Sequence, residues 1–566
     1  MTGSSFDELA ERIMDEYLSR EPAFATQVGW HKYDHTLKDL SRKGYQHQIE
    51  NMTDIISKLE SINPGTLTPE EQIDRDLGVQ FFKLKIFEIS ELSKHDKASL
   101  AATELGNSLF FLFTRETPPF DVRMQAMIAR LEAAPEFINR SKDAVTRPYR
   151  LWNEILLETG ERMPTFLREV QNLCESRSRD GDSLHRLGKA VHDASAALED
   201  YNQWMRREVI PSGSRETSIG PKLYQHYLNL QQYGITQEET LKVADLYLKD
   251  TNRKKANVAE KITGSRDVVE AVRRMRAQHA IDFESVLAEY RASVLKARDF
   301  VAKKGLVTLP DGEKLMVIAT PSYMNHAVPY AAQYEPGKFD NDMTGFFLVT
   351  PEQGNPAILE EHSHVGIVNT AVHEGYPGHH LHGICMNINP SRIRIIHPSP
   401  DFGEGWGLYC EDMMISQGYN DTAWGRLTML NDLGFRIARQ ICDVRLSIGE
   451  MSLNQAADLL VRETGTDPQA AMTEAKAMVL SPTYYMSYFV GKLGILQMRE
   501  DAQRLLGNRF DLRFFHDSLI YSGCMPMPFM RRALALRIKE RYGLELGLPS
   551  ESVFDFGMRA LRAVGT

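Results

Sequence analysis

The segment His373-Glu374-Gly-Tyr-Pro-Gly-His379-His380 gathers three of the chain's 17 histidines and a glutamate. Imidazole nitrogens and carboxylate oxygens are the donors a catalytic zinc takes from protein, three in number, with one position left for water. The usual helical solution is H-E-x-x-H, in which two histidines one turn apart share a face and the glutamate acts on the water. Here the first half is present, but Pro377 stands where the second histidine would fall. In a regular helix His380 would lie two turns, roughly 10 Å, beyond His373, and His379 would point about 120° away. Zinc–nitrogen bonds are only about 2 Å long, so a shared metal requires a broken helix. Gly375, Pro377 and Gly378 supply the break, because both residue types interrupt the helical ladder. The helix is expected to end after Glu374 and to resume so that His379 returns to His373. His380 is the alternative ligand, or else a group behind the ligands or facing substrate.

A third donor should come from a second helix. Phe402-Gly-Glu404-Gly-Trp-Gly-Leu-Tyr-Cys-Glu411-Asp412 is the candidate stretch. Glu404 sits among Phe402, Trp406, Leu408 and Tyr409, and a carboxylate in such company is expected to be paired or metal-bound. Glu411 and Asp412 are its rivals. Glu411, two turns on along the same face, suits a partner that orients a ligand histidine. A tetrahedral oxyanion needs a donor besides the metal, and Tyr484, Tyr485 and Tyr488 are candidates. Arg436 and Arg439, one turn apart, could clamp a substrate carboxylate. His516-Asp517 is a weaker candidate pair. The strand-like Gly345-Phe-Phe-Leu-Val349 could hold an extended peptide along its edge.

The elements that must position these groups are mostly helical. Segments near 43–61, 68–93, 122–141, 186–208 and 238–262 carry apolar residues at helical spacing. Asn63-Pro-Gly65, Pro118-Pro119 and Pro211-Ser-Gly-Ser214 separate them. The charged run from Arg266 to Lys304 predicts one or two long surface helices. From Gly305 the character changes: Leu306–Leu309, Leu315–Ala319 and Thr344–Thr350 read as short strands, and the chain turns helical again from about Ser363. The expected class is therefore mainly α, with a small β-sheet near 305–350. Residues 1–304 are expected to form a helical region making one lobe of a cleft. Residues 305–566 should hold the sheet and the metal-bearing helices, the two regions forming one continuous unit.

Composition narrows the function. Apolar residues are 42% of 566, enough for a large core, and 66 basic against 76 acidic residues give a net charge of -10. That balance speaks against a nucleic-acid partner. Five scattered cysteines form no C-x-x-C pair and no disulfide framework, the expectation for buried thiols in a reducing compartment. Residues 1–29 show no leader-type apolar core and read instead as an acidic amphipathic helix from about Phe6 to Leu18, and no stretch approaches the roughly 20 apolar residues a membrane span needs. A cytoplasmic chain with no membrane partner is expected. No phosphate-binding glycine loop or Gly-x-Ser-x-Gly nucleophile motif stands out.

His373-Glu-Gly-Tyr-Pro-Gly-His-His380 followed by Glu404-Gly-Trp-Gly-Leu-Tyr-Cys-Glu411 resembles the zincin-like metallopeptidase relatives catalogued as domain of unknown function 885. Softer likenesses are Pro22-Ala-Phe-Ala-Thr-Gln-Val-Gly29 and Ser487-Tyr-Phe-Val-Gly-Lys492, so the resemblance spans nearly the whole chain. It implies a helical gluzincin-type fold, a metal held by two histidines and a glutamate, and Tyr488 at the oxyanion. The family tends to place a histidine shortly after the position of Asp443, and Val444-Arg-Leu-Ser447 has none. Together these residues predict a Zn(2+)-dependent hydrolase of peptides or small amides. His373, His379 and Glu404 would be the ligands and Glu374 the general base, with Tyr488 assisting. His380, Glu411, Arg436, Arg439 and Tyr485 would be supporting or substrate-binding groups. Two other readings share the residues: a non-catalytic binding scaffold with a degenerate site, and a metal hydrolase of a non-peptide amide or lactam. The sequence does not fix oligomeric state, a homodimer included.

Overall fold

The computed structural model describes residues 5–320, 328, 330–340, 342–351 and 357–564. Each segment with helical apolar spacing is a helix: Arg42–Glu60, Pro69–Phe87, Phe120–Ser141, Gly181–Trp204 and Gln237–Thr263. Local chemistry fixes several of their starts. Thr68 and Thr236 each accept from the backbone three residues on, while Glu71 and Glu239 reach back to the cap nitrogen. These capping boxes satisfy orphan donors that would otherwise face solvent unpaired.

The chain divides into two compact units. The first runs to Thr217 and takes in 336–342 and 391–396. Within it the buried Arg394 is held by Asp74 at 2.6 Å and by Glu70. The second comprises Ser218–Glu335, Met343–Pro390 and His397–Thr566. The division thus falls after Thr217 and not at the expected 304/305. The helices between those points belong with the second unit because their apolar faces pack there. Gln237–Thr263 (α1) lies along Ala423–Ile448 (α6). Phe283–Lys304 (α2) buries Val286, Leu287, Tyr290, Val294, Ala297 and Val301. Its charge is therefore confined to one face, and the expected surface helix is in fact a wall of the second unit.

The sheet of the second unit has three strands: Lys314–Ala319 (β1), Ala331–Tyr334 (β2) and Thr344–Val349 (β3), in the order β1-β3-β2. β1 runs parallel to β3 and β2 antiparallel to it. Two of the expected strands are present. Leu306–Leu309 is not one: it is irregular chain with buried Leu306 and Val307. β2 has no strand signal of its own, and pairing with β3 makes it one. Because β3 is central, both its edges are taken: Gly345–Val349 is the interior strand of the sheet, and the outer edges belong to β1 and β2.

Helices His364–Glu374 (α3), His379–Ile388 (α4), Pro400–Ser416 (α5), α6, Pro468–Leu480 (α7) and Ser487–Leu506 (α8) complete the part that carries the candidate site. α5 and α8 cross through glycine. A Cβ on Gly405 would come within 2.6–2.9 Å of the backbone at Gly491 and Lys492, so the two helices approach as only glycine permits. Trp406, fully buried beside this crossing, donates its indole N–H to the Pro377 carbonyl at 2.8 Å. Losing such a side chain costs about 3–5 kcal/mol, so Trp406 ties α5 firmly to the α3–α4 break. The described residues contain no helix long and apolar enough to cross a membrane, and all five cysteines are buried and unpaired.

Candidate metal centre

α3 starts under the Ser363 side chain, which accepts from Gly366 N, and ends at Glu374. Gly375 then takes φ -104°, ψ -96°, and α4 begins at His379. The Gly-Tyr-Pro-Gly insert thus breaks the helix where the sequence predicts. Gly378 is obligatory: a Cβ there would overlap the His373 carbonyl oxygen. The break turns His379 back onto His373, their rings edge to face with centroids 4.8 Å apart.

Glu404 on α5 faces both. Its Oε2 lies 3.2 Å from His379 Nε2 and 3.8 Å from His373 Nε2. One ligand atom from each of the three residues falls within 4.8 Å of the others. Donors bound tetrahedrally at about 2.1 Å stand about 3.4 Å apart, so the spacing suits a metal of that size. The electrostatics suit it too. Burial alone would lower both imidazoles, but Glu404 and Glu411 raise His373 to about 9 and Glu404 raises His379. Burial would raise the Glu404 carboxyl, yet the two imidazoles hold it well below the usual range. Two imidazoles drawn toward their charged forms by one carboxylate make a cluster in which a divalent cation can take the place of that charge.

Further residues hold the three in place. His373 Nδ1 meets Glu411 Oε1 at 2.7 Å. Asn369 Nδ2 donates to Glu411 Oε2 at 2.9 Å and to Asp432 Oδ2 at 2.7 Å. Burial would raise Glu411, but Arg436, His373 and Asn369 bring it to about 2, so it stays anionic and fixes the ring's tautomer. Gly407 leaves room for the imidazole: a Cβ there would lie 2.7–3.0 Å from three ring atoms of His373. On the far side, Tyr484 donates to Glu404 Oε1 at 2.5 Å, leaving Oε2 for the histidines. Thr483, at φ +72°, turns the chain into Tyr484. Asp443 pins that turn, accepting from Thr483, Tyr485 and Met486 N at 2.8–3.1 Å. The carboxylate after which the family places a histidine therefore serves here to set the tyrosines.

The remaining sequence candidates separate. Glu374, Tyr485, Tyr488, Arg436 and Arg439 line the same cavity as the three donors, a volume of about 730 Å³ within the second unit. Arg436 is committed to carboxylates, 3.6 Å from Glu411 and 4.0 Å from Asp432, so the two arginines are not a matched clamp. Arg439 stacks on Tyr488 and Tyr485, 4.4 and 5.1 Å from their centroids. His380 faces away. It is fully buried with Nε2 3.3 Å from Glu313, which also accepts from Tyr376 and, at 2.7 Å, from Arg298. Asp412 pairs with Lys492 at 3.2 Å. His516 sits between Tyr409 OH and the Leu306 carbonyl, both at 2.8 Å, and does not line the cavity. Tyr484, one of the three tyrosines considered for the oxyanion, holds Glu404 instead. Asn369, Asp432 and Glu313 carry no signal in the sequence.

The sequence profile of a family described as "Bacterial protein of unknown function (DUF885)" matches residues 22–534. No curated protein matches the chain. Among solved structures, one described as a lipoprotein of unknown function from Shewanella oneidensis superposes with a TM-score of 0.78 at 21% identity, covering 94% of this chain and 99% of that one. Another, described as a lipoprotein from Colwellia psychrerythraea, gives 0.82 at 16% identity, covering 95% and 100%. A Pyrococcus furiosus carboxypeptidase reaches only 0.37 at 12% identity, covering 99% of each chain. The first two share the fold. Both are described as lipoproteins, and the expectation of a cytoplasmic chain is corrected accordingly.

Proposed function

The chain belongs to the bacterial family DUF885, and on the convergence of its donors we propose that it is a zinc-dependent, zincin-like hydrolase of peptide or small amide bonds. The observation that carries this reading is the cluster of His373, His379 and Glu404, with one ligand atom of each within 4.8 Å of the others. Two imidazoles and one carboxylate are a zinc donor set that leaves a position open. His373, His379 and Glu404 would hold the metal. When bound there, zinc acidifies water and polarises a carbonyl.

The chain's own groups do the rest. Glu374 follows His373 at the end of α3 and lines the cavity. Its carboxylate takes the proton from the attacking water and returns it to the leaving amine. Burial pushes the Tyr484 and Tyr488 hydroxyls well above the usual range, so both stay protonated. Tyr484 is committed to Glu404, and Tyr488, whose hydroxyl meets that of Tyr484, is the donor we assign to a developing oxyanion. Tyr330, Ala331, Ala332 and Gln333, at and before the edge of β2, line the same cavity, where an extended substrate can add as a further strand.

Metal content decides first. About one zinc per chain is expected, lost in His373→Ala. Glu374→Gln should keep the zinc and lose about 10²–10⁴ in turnover of a peptide library. Absence of metal after incubation with zinc would sink the hydrolase reading and favour a ligand-binding scaffold. Wild-type turnover in Glu374→Gln would remove the general base.

A further inference from the structure

Resting on the hydrolase reading, we infer that Arg439 receives the C-terminal carboxylate of a short peptide, so that cleavage releases one or two residues from the C-terminus. A guanidinium has two roles open to it beside a metal cluster: it can neutralise structural carboxylates, or it can meet a ligand. Arg436 has the first role, between Glu411 and Asp432. Arg439 is differently placed. It is 7% exposed, lines the cavity, and has one carboxylate contact, to Glu474 on α7 at 3.4 Å. Its Nε, like that of Arg436, has no hydrogen-bond partner, so what sets Arg439 apart is its lack of a second carboxylate and the rings around it. Three rings hold its plane: Phe435, Tyr485 and Tyr488, at 4.8, 5.1 and 4.4 Å from centroid to guanidinium carbon. A buried, planar, pre-oriented guanidinium with unfilled donor capacity is the arrangement that recognises a carboxylate by two parallel hydrogen bonds. Using Arg439 in this way costs little side-chain ordering, because the rings have already fixed it.

The same placement sets which bond is cut. Glu404 contacts Tyr484, whose ring lies 5.9 Å from that of Tyr488, which in turn stacks on Arg439. This chain of contacts puts the guanidinium on the same wall of the cavity as the donors, so a carboxylate held there brings an amide bond close to the C-terminus over them, at about 3.5 Å of extended chain per residue. The balance is that of a hydrolysis: the amide C–N bond breaks, water supplies OH to the acyl carbon, and its proton ends on the released amine.

The test measures binding and cleavage separately. An N-acetylated tripeptide with a free carboxylate and its C-terminal amide are titrated into zinc-loaded Glu374→Gln protein by calorimetry, and digested by the wild type with products read by mass spectrometry. The acid is expected to bind roughly 30- to 100-fold tighter than the amide. Arg439→Ala should bring the two to equal affinity, and Arg439→Lys should keep the charge but lose roughly tenfold. Thermal melts of both variants confirm folding. Equal binding of acid and amide, no measurable binding of the acid, or a preference that survives in folded Arg439→Lys and Arg439→Ala overturns the inference. Equal cleavage of acid and amide overturns it while leaving the hydrolase intact. Preferential binding without any cleavage keeps the carboxylate site and removes the hydrolase.

Discussion

His379 and His380 are neighbours in sequence, and each faces a glutamate, yet they belong to different kinds of site. His379 is 20% exposed and its Glu404 14%, both opening on the cavity. His380 and its Glu313 are 0% exposed. Around Glu313 the protein supplies three donors, with Tyr376, Arg298 and His380 converging on one carboxylate, and the unpartnered atom of the cluster, His380 Nδ1, is sealed in the interior. Around Glu404 one oxygen has a tyrosine and the other has only the two imidazoles. Polar composition alone therefore does not mark a reactive cluster. The mark is a set of donors aimed at one point, where the protein supplies none of the groups that would complete them.

The largest effect should come from exchanging the two histidines' fates. His379→Ala is expected to lose the metal and at least about 10³-fold in turnover, since several kcal/mol of transition-state stabilisation go with it. His380→Ala should keep the metal and lower the melting temperature, because Glu313 loses a donor and the interior gains a hole, together about 2–4 kcal/mol. Plasma-emission metal analysis and thermal melts check both. Metal loss in His380→Ala with retention in His379→Ala would reverse the comparison.

A smaller effect tests how the open cluster is aimed. Tyr484→Phe removes the 2.5 Å bond that reserves Glu404 Oε1. Partners one step behind a metal ligand are worth about 10–100-fold in affinity. The variant should therefore bind zinc at least about tenfold more weakly in a competition with a chelating dye, with the fold unchanged by circular dichroism. Unchanged affinity would mean that Glu404 is held by its helix and not by the tyrosine.

How much of this was legible in the sequence follows from how local each signal is. The break after Glu374 was readable because Gly375, Pro377 and Gly378 act on their own backbone, and Glu404 because its apolar neighbours are adjacent in the chain. The long amphipathic helices were readable for the same reason. Asn369, Asp432 and Glu313 were not, since their partners come from other elements and nothing within a few residues announces them. β2, Ala-Ala-Gln-Tyr, has no alternation and becomes a strand only by lying against β3. Which tyrosine lies next to Glu404 is not legible for a subtler reason. Tyr484, Tyr485 and Tyr488 differ in role through the turn at Thr483, and that turn is fixed by Asp443, some forty residues away.

Asp443 gives the finest test, because it is a second buried carboxylate at the other end of the same tyrosine turn as Glu404. Glu404 is held low by cations; Asp443 has neutral donors, three backbone N–H groups and the Ser447 and Tyr224 hydroxyls at 3.4 and 3.5 Å, and burial pushes it up to about 7 despite them. A carboxyl whose folded pKa lies above its unfolded value near 3.9 binds more protons folded than unfolded between the two. Its contribution to stability is then fully present below about pH 4 and is lost as the pH rises through about 7. Asp443→Asn keeps the shape and one acceptor oxygen and removes the titration. Wild type should therefore lose melting temperature relative to the variant from pH 4 to pH 7, by an amount on the order of a few degrees. Melts of the two proteins across that range, in matched ionic strength, measure the difference. A constant gap would mean that the three backbone donors keep Asp443 ionised throughout, and that the tyrosine turn, like the Glu404 end, is anchored by a permanent charge.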